Sequence, residues 1–85
     1  VAADEVAICR TPSLSDLDVR LATLYEAVLK LVGMGVRGDL QDQQAAFLKA
    51  RATCGSDVGC IAALYDQRIA SLEKVLDDIA ARGPY

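Results

Sequence analysis

Apolar residues recur along this chain at alternating steps of three and four, in three blocks, with almost no period-2 alternation. In the first block Leu14, Leu17, Leu21, Leu24, Val28 and Leu31 follow one another without a polar interruption. That spacing keeps all six side chains on one face of an α-helix. Thr11 as cap, Pro12 as first helical residue, and Ser13 with Asp16 as an alternative capping pair set its start. The pattern predicts a helix from Pro12 to about Val32. It stops at Gly33-Met34-Gly35-Val36-Arg37-Gly38, where glycines costing about 1 kcal/mol each argue for a loop.

Asp39 is the expected cap of the second helix, with Asp42 placing negative charge near its positive end. Its inner seam reads Leu40, Gln44, Phe47, Arg51 and Cys54, and Gly55 is the expected stop. A third helix follows from Cys60 to about Arg82, with Ile61, Tyr65, Arg68, Leu72, Val75 and Ile79 inward and Gly83-Pro84 closing it. Ala2 to Cys9 supports a short additional helix. Short connections make neighbouring helices antiparallel. The expected fold is therefore all-α: one domain over residues 1–85, an up-down-up three-helix bundle with a short N-terminal helix. At 1.5 Å per residue the second helix spans roughly 22 Å and its neighbours roughly 30–35 Å, so the long pair should overhang the short one.

Composition then removes whole classes of function. Hydrophobic residues make up 53% of the 85, but fourteen of them are alanine, which leaves side-chain volume for one small core. A core of that size is marginal, and a covalent staple would help it. No apolar run reaches the roughly 18 residues of a membrane span. Histidine is absent, which excludes Ser-His-Asp triads, His-ligated zinc and imidazole acid–base work. The net charge of −3 and pI of about 4.7 oppose phosphate binding, so no nucleic-acid partner is expected. With no nucleophile–base pair and no phosphate-cradling glycine loop, the chain reads as a binding or structural protein. No catalytic residue, cofactor or metal site is expected.

The cysteines suggest a compartment. In an up-down-up bundle Cys9, Cys54 and Cys60 lie near one pole. Cys54 and Cys60 flank Gly55-Ser56-Asp57-Val58-Gly59, a tight turn whose glycines let the two Cβ atoms converge. A disulfide there, worth on the order of 2 kcal/mol, is favoured over two reduced thiols packed as small hydrophobes, a redox site or a metal site. It implies an oxidising environment. Cys9 is then left free, competes for Cys54, or pairs with a cysteine upstream of Val1.

These same residues resemble the LprI-type lysozyme inhibitor family of small secreted or lipid-anchored bacterial domains. The resemblance rests on Ile8-Cys9, Leu17-Asp18, Leu21 and Tyr25, then Gln44, Phe47-Leu48, Arg51 and Cys54. It continues through Cys60, Tyr65, Arg68-Ile69 and Leu72, covering about Val6 to Leu72. Phe47 stands where that family usually carries tryptophan. The family often has a further cysteine upstream of the Ile-Cys pair, which implies that Val1 follows a removed signal peptide. The resemblance implies a secreted or periplasmic binding protein, with a lipid anchor in the precursor as one form. Its expected partner is a basic, lysozyme-type peptidoglycan hydrolase. The alternative is a self-assembling structural module of the cell envelope, which the unbroken first seam supports.

Two sets of residues are candidates for these roles. In the expected register Asp18, Arg51 and Arg68 fall at one level with Tyr65 beside them, forming a partly buried Arg–Asp–Arg network that fixes helix register. Asp18→Ala should then strand a buried guanidinium, and Gln44 should donate an interhelical hydrogen bond. The second set would face a partner. Asp66, Glu73 and Asp77 lie on one outer helix face and would steer a basic protein. Of the two loops, Gly33–Gly38 offers Arg37. The clamped Gly55–Gly59 loop offers Ser56 and Asp57 and is favoured because it is pre-organised.

Overall fold

The computed structural model describes residues 2–82 and contains four helices: α1 (Ala3–Arg10), α2 (Pro12–Leu31), α3 (Met34–Thr53) and α4 (Val58–Ala81). Among the described residues there is no strand. The expected stop at Gly83-Pro84 lies outside them.

α2 begins as its sequence dictates. Pro12 takes the first helical position, and the carbonyl of extended Thr11 accepts from the amides of Leu14 and Ser15. The Thr11 side chain makes no capping bond, so fixed proline geometry and backbone bonds set this start. α2 ends at Leu31, and the following Val32 is extended.

The largest departure from expectation lies just beyond. Gly33–Gly38 is not a loop: only Val32 and Gly33 connect α2 to α3, and Met34 already begins the next helix. The Gly33 carbonyl accepts from the Arg37 amide at 2.8 Å, and Asp39 sits inside the helix instead of capping it. Glycine's penalty is about 1 kcal/mol per position, while burying one leucine recovers about 1.5–3 kcal/mol. Leu40 is 3% exposed, and a helix begun at Met34 carries it directly onto the core. α3 consequently has 20 residues, the same as α2, and the expected difference in their lengths disappears.

The other turn follows the cysteines. Cys54 caps the C-terminus of α3, and Gly55 adopts φ +59°, the left-handed geometry that favours glycine after a helix. Asp57 then caps α4, its Oδ1 accepting from the Cys60 amide at 3.0 Å. That cap starts α4 at Val58, two residues ahead of the expected start.

α4 is the spine of the molecule. Its most extensive packing is with α2, while α3 and α1 also lie against it and α1 rests mainly on α2. The core takes Leu14, Leu21 and Val28 from α2, and Ile61, Tyr65, Ile69 and Leu72 from α4. α3 adds Leu40 and Phe47; α1 adds Ala7 and Ile8. Phe47 meets Tyr65 edge to face, with ring centroids 5.2 Å apart. Leu31, expected inward, is half exposed beyond the last buried level. The fold is elongated, about 43 × 22 × 16 Å.

Candidate functional site

The polar seam residues form two clusters, not one. In the first, Arg51 of α3 reaches three elements. Its Nε donates to Asp4 Oδ2 at 2.7 Å, and its Nη1 donates to the Tyr65 hydroxyl at 3.0 Å. Tyr65 in turn donates to Asp18 Oδ1 at 2.7 Å. Asp18 itself is 3.9 Å from Arg51, with its side chain half exposed. The buried counter-ion of Arg51 is therefore Asp4, on α1, a residue 2% exposed that the sequence reading passed over. The periodicity of α1 carries the missed signal: Asp4, Ala7 and Ile8 stand at i, i+3 and i+4, on one face. A carboxylate on the apolar face of a helix needs a cation, and Arg51 lies on an apolar seam.

Electrostatics in this cluster follow from those bonds. The hydrogen bond from Arg51, with its charge, holds the Asp4 carboxyl below the usual aspartate value even though burial opposes ionisation. Burial works against the Arg51 charge, but bonds to Asp4 and Tyr65 outweigh it and raise its pKa. Tyr65 is pushed up to about 12, first by burial and then by the Asp18 carboxylate that accepts its hydrogen bond. A phenol held that high stays protonated at neutral pH and does not serve as a base. Asp4 Oδ1 is buried without a hydrogen-bond partner.

Arg68 belongs to the second cluster and makes no contact with Asp18, which corrects the expected Arg–Asp–Arg network. It is 7% exposed, with Nε donating to Gln44 Oε1 at 2.9 Å and Nη1 to Gln43 Oε1 at 3.1 Å. Its Nη2 donates to the Leu40 carbonyl at 3.2 Å, and its guanidinium carbon lies 5.8 Å from the centre of the Tyr25 ring. Gln44 is thus an acceptor, not the expected donor. Burial lowers the Arg68 pKa, against a smaller opposing influence of Tyr25.

The partner-facing candidates are scattered along the fold. Cys54 and Cys60 are joined by a disulfide, with Cα atoms 5.7 Å apart. Ser56, Asp57 and Val58 are exposed at the tip of that clamped turn, with one Asp57 oxygen committed to the α4 cap. Glu73 pairs with Arg20 across α2 and α4 at 3.4 Å, both largely in solvent, and Asp66 is exposed on α4. Arg37 is exposed on the first turn of α3, since its expected loop is helical. Cys9 is free and exposed, beside a shallow depression formed with Glu5, Ile8, Asp18 and Arg51. No protein-family profile, curated protein or solved structure matches the chain.

Proposed function

We propose that this chain is an extracytoplasmic protein-binding domain that inhibits a lysozyme-type peptidoglycan hydrolase through its clamped turn. The observation that carries the reading is the Cys54–Cys60 disulfide. It closes a tight turn whose exposed Ser56 and Val58 are held in place before any partner arrives. Pre-organisation reduces the ordering cost of binding, and a disulfide belongs to an oxidising compartment, secreted or periplasmic. Asp66 and Glu73 supply negative charge on the helix that follows, suited to a basic partner. Lysozyme as the partner rests on the resemblance of the Cys9, Arg51, Cys54, Cys60 and Arg68 pattern to the inhibitor family. The up-down-up order of α2, α3 and α4 belongs to the same proposal. It is supported by the short connections and by bonds that run Arg51 to Tyr65 and Leu40 to Arg68.

Hydrolysis of bacterial cell walls by lysozyme, with the protein in excess at low and at high salt, tests this reading. We expect inhibition that weakens with salt, survives Arg37→Ala and is lost with Ser56→Arg combined with Val58→Glu. Full lysozyme activity at both salt concentrations would end the proposal for that enzyme. Asp57 is left intact because removing its cap costs about 1 kcal/mol of stability and confuses the result. A second reading, a self-assembling envelope module, is favoured by the exposed Leu31, Val36 and Met34 where α2 meets α3; Met34 is 90% exposed. Sedimentation at micromolar concentration separates the two, because a self-assembling module does not remain monomeric.

A further inference from the structure

The two seam arginines are held in opposite ways. Arg51 has a carboxylate, Asp4, against its guanidinium. Arg68 is more deeply buried, and among the described residues no carboxylate lies within ion-pair distance of it. Its three bonds all go to neutral oxygens, those of Gln44, Gln43 and Leu40. A guanidinium carries five N–H groups, so Nη1 and Nη2 each keep one N–H beyond these bonds. A buried charge without a counter-ion is costly, and an aromatic face such as that of Tyr25 compensates only part of it.

Arg68 also forms part of the wall of an open groove between α3 and α4, about 330 Å³ in volume. Ala46, Phe47, Ala50 and Leu64 give that groove an apolar surface, while Gln43 and Ser71 add polar groups. Gln43 ties the two observations together, because it lines the groove and also accepts from Arg68 Nη1. The groove has the size of a small organic ligand site, and the two alanines leave it unfilled.

The geometry points to a binding site for a carboxylate carried on a short apolar group, with the carboxylate on Arg68 and the hydrocarbon against Phe47 and Leu64. Two spare N–H groups on one planar guanidinium match the two oxygens of a carboxylate. Such a ligand supplies the missing counter-ion. A free organic acid and the C-terminal carboxylate of a peptide share this chemistry. The site lies on α3 and α4 and is lined by none of the residues of the clamped turn, and it does not depend on lysozyme inhibition.

The test is an NMR titration of the full, disulfide-intact chain, following the Arg68 Nε and the Gln43 side-chain amide. The probes are butyrate against butyramide, and N-acetyl-alanyl-alanine against its C-terminal amide. We expect at least one acid to bind tenfold or more tightly than its neutral amide; whichever acid binds better identifies the source. Arg68→Gln should abolish that preference. Because that variant also removes core bonds, Ala46→Phe is the second arm. Ala46 is exposed, and a phenyl ring there fills the groove while leaving the Arg68 bonds in place. It should weaken binding at least tenfold. Equal responses to acid and amide for both pairs, no response at all, or undiminished binding in Ala46→Phe would overturn the proposal.

Discussion

A single hydroxyl connects three helices in this fold. Tyr65 on α4 donates to Asp18 on α2 and accepts from Arg51 on α3, and its ring is fully buried. A hydrogen bond to a charged partner contributes about 1.5–3 kcal/mol, and because half-exposed Asp18 regains water when its bond is lost, Tyr65→Phe should destabilise by about 2 kcal/mol in urea unfolding. The same residue sets an alkaline limit. Its pKa of about 12 in the folded chain exceeds the ordinary value of 10.0, so the folded form holds the proton that the unfolded form releases. The resulting stability is complete below pH 10 and declines as pH rises toward 12. A component of the 295 nm tyrosinate absorbance, one tyrosine of the chain's three, that appears only near pH 12 and is missing in Tyr65→Phe would confirm it; ionisation of all three near pH 10 without unfolding would contradict it. At this scale the sequence was half legible. Arginines on apolar seams announced buried charge, but partner choice depends on which helix faces which, and Asp4 lies 47 positions from Arg51. With Asp4 as the buried partner, Asp18→Ala no longer strands the Arg51 guanidinium.

Among the elements, α2 and the body of α4 were readable from hydrophobic period because their apolar faces are wide, broken in α4 only by Arg68. α3 was not, at its start. Local propensity marks Gly35 and Gly38 as helix breakers, while the gain from docking Leu40 appears only once a core exists to receive it. The end of α3 was legible, since cysteine and glycine have local geometric meaning, whereas the Asp57 cap that starts α4 at Val58 was missed. The Cys54–Cys60 bond closes a loop of sequence separation 6, small enough that its loss should cost about 2 kcal/mol. Reduction, or Cys54→Ser with Cys60→Ser, should therefore lower the melting temperature by roughly 10 °C. An unchanged melting temperature would mean that the capped turn holds α3 and α4 together without it.

Across the whole molecule, packing is unequal. α2 and α4 share the broadest contact, whereas α3 contributes only Leu40 and Phe47 to the buried core, and neither is fully buried. Amides in the middle of α3 should accordingly exchange with deuterium at least tenfold faster than those around Ile69 and Leu72. Uniform protection across all three long helices would show that they open together. The order of elements in the chain adds a further consequence. α2 finds its main partner in α4, which follows it only after all of α3. During synthesis the apolar stripe of α2 has only the short α1 and a sparse set of α3 residues to pack against until most of α4 has left the ribosome. Until then the polypeptide stays open and threadable, a form that a translocation channel accepts and a finished bundle does not.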